Sequence, residues 1–145
     1  MTDARLLRVR FAWPPALEAR RVREALASTL DRPLATSWTV GRGTTDAAGC
    51  AWWRDDMPAL PDADRVRRAL ERVTDDVEVA LLRVLLDIRG AAAGKPAPFR
   101  YAVETDVAPE HEADFNAWYD REHLAGLASV PGTVHAARFR DDDGH

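Results

Sequence analysis

Alternation of apolar and polar residues predicts strands in the first part of the chain. Over 7–13 the odd positions are Leu, Val, Phe and Trp, and Arg8 and Arg10 lie between them. This is the two-residue period of a strand with one buried face. Two short β-prone stretches, 36–40 and 49–54, are separated by a glycine-containing segment, which predicts a hairpin with a long loop.

Apolar residues at helical spacing predict two helices in the same part. The first covers 16–31 and is closed by Pro33; the second covers 62–73, with Asp62 as its N-cap. The side chains predicted to point inward are Val22, Leu26, Leu30, Val66, Leu70 and Val73.

Segment 76–89 is ambiguous by periodicity. Val77, Leu81 and Ile88 fit one face of a helix, whereas the nearly continuous apolar run 81–86 is typical of a buried strand. We favour the strand because it completes a β-α-β-β-α-β order, the ferredoxin-like unit. The predicted fold class is therefore α+β, with a ferredoxin-like domain over 1–89.

A linker is predicted at 90–98, where small residues, glycine and proline replace any apolar period. Beyond the linker, the residue pattern of 99–145 predicts a partial β-α-β unit. It consists of a strand at 99–104, a helix from Pro109 to about Ala128, and a strand from Val134. The turn signal Asp-Gly follows at 143–144, and the sequence ends one residue later. Two hypotheses remain open: truncation of a longer natural protein, or missing strands supplied by another chain.

Composition excludes several classes of protein without indicating a chemistry. The 145 residues carry 20 basic and 24 acidic side chains, so the net charge of −4 disfavours nucleic acid as a partner. A single cysteine excludes internal disulfides and multi-cysteine zinc motifs. No apolar run is long enough for a membrane span, and the N-terminus lacks the pattern of a signal peptide. We expect a cytoplasmic protein that does not bind membranes.

The densest group of chemically active side chains lies in the helix predicted after Pro109. On an α-helix Phe115, Tyr119 and His123 share one face, and Trp118 and Glu122 form the adjacent row. An imidazole can transfer a proton near neutral pH, and a phenol can donate a hydrogen bond to a carbonyl or enolate oxygen. The alternative hypothesis is that these side chains only pack the helix.

Residues 99–140 resemble the EthD-like branch of the dimeric α+β barrel superfamily. The resemblance rests on Phe-Asn-Ala-Trp-Tyr-Asp-Arg-Glu-His-Leu at 115–124, followed by Val-Pro-Gly at 130–132 and a strand. It implies a dimer and a cavity between helix and sheet that His123 faces, with Tyr119 and Trp118 near it. Ala125 departs from the family pattern, which often has proline after His-Leu.

The predicted function is that of a cofactor-independent enzyme acting on a small apolar oxygenated molecule, such as a polyketide or aromatic acid. His123 would be the general acid/base and Tyr119 would orient a substrate oxygen, in a cyclisation, isomerisation or decarboxylation. Alternatives are a non-catalytic ligand-binding or assembly module and a small monooxygenase, with or without haem. Trp118, Phe115, Glu122 and His135 are the predicted substrate-binding residues.

His135 is placed among them because it shares a strand face with Ala137 and Phe139, which we expect on the helix-covered side of the sheet. No metal site is predicted. His111 and His123 are about 18 Å apart along one helix and cannot share an ion within a chain.

Overall fold

The fold is α+β, as the sequence predicts. The computed structural model describes residues 5–30, 38–43, 48–53 and 59–142, and the strands form a five-stranded antiparallel sheet in the order β2-β3-β1-β4-β5. The strands are β1 (Arg5–Ala12), β2 (Trp38–Arg42), β3 (Ala48–Trp53), β4 (Glu78–Arg89) and β5 (His135–Arg140). The α-helices are α1 (Ala19–Ala27), α2 (Ala63–Glu71), α3 (Glu112–Trp118) and α4 (Leu124–Ser129).

The described residues form two compact units, one up to Leu82 and one from Arg83 onward. The predicted linker at 90–98 falls within the second unit, and a domain boundary there stays a prediction. None of the helices in the described ranges is long and apolar enough to cross a membrane. Pro33, residues 36–37, Arg54 and the last three residues, which include the Asp-Gly turn signal, lie outside the described residues.

The first unit has an apolar core between one face of its strands and two helices. The residues of β1 at 7, 9 and 11 are buried against Val22 and Leu26 of α1 and Val66 of α2. The apolar face predicted by the alternation over 7–13 is buried, but Leu6 and Arg8 on the opposite face of β1 are buried as well. β3 pairs antiparallel with both β1 and β2, which confirms the predicted hairpin.

Local signals set the ends of the helices in this unit. The carboxylate of Asp62 accepts a hydrogen bond from the Arg65 backbone N–H at 2.8 Å, so the predicted N-cap of α2 is confirmed. The first helix is shorter than predicted, because its hydrogen bonds begin only at Glu18, whose carbonyl accepts from Arg21. Pro14 and Pro15, which precede it, cannot donate backbone hydrogen bonds.

In the second unit, β4 pairs antiparallel with β5, and Leu85 forms a β-bulge. Val84 pairs with Phe139 and Leu86 with Arg138, so Leu85 has no opposite residue. The bulge turns Leu86 toward the side of the sheet where Leu124 and Ala128 of α4 pack. It also explains the ambiguity of 76–89, since an extra residue interrupts the period of two. The strand prediction is confirmed.

The strand predicted at 99–104 is wrong, because residues 96–108 form neither helix nor strand. The neighbour of β5 in the sheet is β4. Alternation indicates which side chains a strand could bury, but a strand also needs a hydrogen-bonded neighbour, and the pattern does not supply one.

Candidate functional site

The predicted site residues lie on one helical stretch, from Pro109 to Ser129, that changes its winding three times. A 3₁₀ turn at Pro109–His111 leads into α3, a π-helical turn follows at Tyr119–His123, and α4 completes the stretch. The sequence predicts a continuous α-helix here, so the π-turn is a feature that the periodicity missed. Turns of this type occur frequently at functional sites.

The π-turn brings Trp118 onto His123. The Leu124 backbone N–H donates to the carbonyl of Tyr119, five residues earlier, instead of the four of an α-helix. The wider turn places residues five apart nearly above one another. The Trp118 and His123 rings consequently stack with centroids 4.4 Å apart and planes 20° apart. An unbroken α-helix would separate these two side chains by about 140° around the axis.

Tyr119 lies at the centre of the ring contacts. Its centroid is 4.8 Å from Phe115 and 4.8 Å from His123, with the His123 ring edge-on at 81°. Trp118 approaches it edge-on at 5.1 Å. We call these four residues, Phe115, Trp118, Tyr119 and His123, the aromatic cluster. The structure thus brings together four of the six residues that the sequence predicts for the site.

Arg138 of β5 supports the cluster from the sheet side. Its guanidinium carbon lies 5.0 Å from the Tyr119 ring centroid and 5.8 Å from that of Phe115, within cation–π distance. The same guanidinium donates to Asp120 Oδ1 at 2.7 Å and to Asn116 Oδ1. Arg138 therefore ties both α3 and the π-turn to the strand.

Sequence reasoning missed Arg138, although a signal for it existed. It shares the even strand face with Ala136, and Ala136 is buried against Leu124 and Ala128. An arginine next to a buried alanine on one strand face needs a partner for its charge. Asn116 and Asp120 lie four residues apart on the helix and supply oxygen acceptors at that spacing.

One side of the cluster is open. Trp118 is 44% exposed, while Tyr119 and His123 are half-buried. Among the residues that the structure describes, the imidazole nitrogens of His123 and the phenol oxygen of Tyr119 have no protein hydrogen-bond partner. These polar atoms therefore remain available to solvent or to a ligand, while the ring faces are fixed by stacking.

Two predicted site residues are not part of the cluster. Glu122 is exposed and takes no part in the ring contacts. His135 lies on the face of β5 opposite to Ala136 and Arg138, so its expected place on the helix-covered side is not what the structure shows. There its Nε2 lies 2.5 Å from Asp87 Oδ1 on β4. Alternation alone could not tell which of the two faces the helix covers.

A separate shallow cavity of about 280 Å³ lies in the first unit and contains no predicted site residue. Its walls come from β1, β3 and Asp76, which has a positive φ of 53°. Its volume is at the lower limit for a small-molecule site, and its apolar walls offer no proton-transfer group besides the Asp76 carboxylate.

No group of three His, Cys, Asp or Glu side chains that could hold a metal ion is present within the described ranges. The residues that carry the EthD-like resemblance, 115–124 and 130–132, are all described, and they form the π-turn helix and the turn after it. A scan against protein-family models and searches of curated proteins and of solved structures found no match to this chain.

Proposed function

We propose that the aromatic cluster binds a small planar oxygenated molecule and that His123 acts on it as a general acid/base. The observation that carries this proposal is the geometry of the π-turn. Stacking on Trp118 fixes the plane of the imidazole, while its nitrogens have no protein partner among the described residues. A proton-transfer group that is oriented but unpartnered is suited to reach a substrate.

The proposed chemistry assigns each ring of the cluster a separate task. The exposed face of Trp118 stacks on the planar ligand, and Tyr119 donates its phenolic hydrogen bond to a carbonyl oxygen of that ligand. The imidazole of His123 removes a proton from the ligand carbon next to that carbonyl. It then returns the proton to a different atom of the ligand, so the net change is an isomerisation or a cyclisation. No carboxylate among the described residues holds the imidazole, so His123 works without a charged orienting partner.

Arg138 acts in this proposal as a positioning residue. It contacts the Tyr119 ring from the sheet side and holds Asn116 of α3 and Asp120 of the π-turn. It therefore fixes the helix on which His123 and Tyr119 lie.

We also propose that the first unit is ferredoxin-like and that the chain belongs to the dimeric α+β barrel superfamily. The support for the first statement is the element order β1-α1-β2-β3-α2-β4. The support for the second is the residue pattern of 115–124 and 130–132.

Binding is tested by NMR titration with 1-hydroxy-2-naphthoic acid, a planar aromatic hydroxy acid. We expect saturable shifts of the His123 and Tyr119 ring signals, and at least tenfold weaker binding in Trp118→Ala. His135→Ala is the matched control, because that imidazole lies on the other face of the sheet and its loss should leave binding unchanged. Equal losses in both variants, or no shift at the cluster, would reject the site.

Proton transfer is tested separately, by NMR detection of deuterium uptake next to the carbonyl of an aryl ketone. We expect His123→Ala to reduce the catalysed uptake to the rate in buffer, whereas His135→Ala retains it. Uptake that persists in His123→Ala would remove His123 from the mechanism but would leave ligand binding in place.

A second candidate function, an assembly module, is favoured by the apolar side chains on the outside of this helix. Trp118, Leu127 and Val130 are exposed, and protein contacts often bury such residues. Light scattering tests whether this surface mediates self-association. If Leu127→Asp and Val130→Asp abolish self-association without changing the naphthoate titration, assembly and ligand binding use different parts of the helix.

A further inference from the structure

The segment 99–105 has the pattern of a strand but forms none within the chain. Phe99, Tyr101 and Val103 are 86%, 91% and 62% exposed. Between them lie Arg100, Ala102 and Glu104, which are also exposed. Three large apolar side chains at a period of two are unusual on an exposed segment, because a strand with this pattern normally packs its apolar face against another layer.

We propose that 99–105 pairs with the same segment of a second copy of this chain, as an antiparallel two-stranded ribbon about a two-fold axis at Ala102. Two-fold pairing requires the positions of opposite residues to add to a constant, here 204. Arg100 then lies opposite Glu104 of the second copy, and Tyr101 lies opposite its Val103. Phe99 lies opposite Thr105, and the two Ala102 residues face each other.

Charge complementarity selects this register. Both ion pairs of the ribbon join opposite charges, and the aromatic Tyr101 meets a β-branched residue, which is a favourable cross-strand pair. A shift by one position would place the apolar odd-numbered residues of one copy opposite the even-numbered residues of the other. It would also move Arg100 away from Glu104. Pro98 before the segment has no backbone N–H to donate, so the ribbon ends there.

The edge strand β5 is a poorer partner for the segment. Its ionisable side chains are those of His135, Arg138 and Arg140, and none of them is a carboxylate. No carboxylate of β5 can lie opposite Arg100, whereas a second copy of 99–105 places Glu104 there.

The experiment measures dimerisation by sedimentation and uses charge reversal between chains. In the Arg100→Glu variant, two carboxylates lie opposite each other at positions 100 and 104. In the Glu104→Arg variant, two guanidinium groups do so. Each variant alone should therefore dimerise at least tenfold more weakly than wild type. Mixing the two variants restores both ion pairs in a heterodimer, which should form with an affinity near that of wild type. Only pairing between chains predicts this rescue.

A cysteine crosslink tests the two-fold axis, in a Cys50→Ala background. Ala102→Cys places two thiols on opposite residues about 4.5–5.5 Å apart at Cα, within the range for a disulfide. Ala97→Cys is the matched control, because the two copies of that position lie beyond opposite ends of the ribbon, which are about 20 Å or more apart. We expect oxidation to crosslink the first variant and not the second.

Three results would overturn the proposal: a wild-type monomer at 200 μM, a dimer whose stability neither charge variant changes, or equal crosslinking at 97 and 102. None of these measurements involves His123, so they leave the ligand-binding proposal unaffected.

Discussion

The two units of the chain are stabilised by different interactions. The first unit buries a large apolar core in which Val9, Val22 and Leu70 are fully inaccessible. Among the described residues, the core of the second unit has three buried residues, and two of these, Ala128 and Ala136, are alanines. A guanidinium and partly exposed rings supply contacts in the second unit that buried aliphatic and aromatic side chains supply in the first. Lower apolar burial leaves the second unit with exposed aromatic surface, which is where ligands or partners can bind.

Removing one leucine from each core tests this comparison and should give the largest effects. Leu26→Ala opens a cavity among many apolar neighbours and is expected to lower the free energy of unfolding by about 3–5 kcal/mol. Leu124→Ala, in the smaller core, should cost about 2–3 kcal/mol, because fewer contacts are lost. Urea denaturation of both variants provides the measurement. Equal losses would show that the second core is as tightly packed as the first.

Two glycine-to-alanine substitutions in the second unit, at Gly90 and Gly126, test how the segment after the helix is fixed to the sheet. Gly90 donates to the Val134 carbonyl at 2.9 Å, and a Cβ on it would overlap the carbonyl of Thr133. Gly90→Ala should therefore cost about 1–3 kcal/mol. In the matched control, Gly126→Ala, the new methyl group meets open space on α4, so the variant should be more stable by up to about 1 kcal/mol. Thermal unfolding followed by circular dichroism distinguishes the two signs.

The smallest expected effect concerns the guanidinium under the cluster. Arg138→Lys cannot make both hydrogen bonds, to Asp120 and Asn116, from one planar group, so it should cost about 1–2 kcal/mol. Arg20→Lys is the control, because that exposed arginine pairs with Glu24 on the surface and its change should stay within about 0.5 kcal/mol.

Arg138→Lys should also change the near-UV circular dichroism of the cluster, whereas Arg20→Lys should leave it unchanged. An unchanged spectrum in Arg138→Lys would mean that the rings hold their arrangement without the guanidinium. The role of Arg138 as a positioning residue would then be wrong.

The turn after α4 shows how local sequence can fix a structure. Pro131 and Gly132 form its centre, Gly132 has a φ of +89°, and the Thr133 N–H donates to the Val130 carbonyl at 3.0 Å. Proline favours the first central position of such a turn, and glycine tolerates the positive φ of the second. The sequence alone therefore predicts that the helix stops here and a strand follows.

Local patterns determined the elements of this protein, and tertiary contacts determined their partners and faces. The alternation over 7–13, the cap at Asp62 and the turn at 130–133 depend on interactions a few residues apart, which a sequence displays directly. The winding at Tyr119–His123 and the bulge at Leu85 depend on how a helix and a strand fit the elements they pack against. The face of β5 that the helix covers is decided in the same way, because alternation is symmetric between two faces until another element covers one of them.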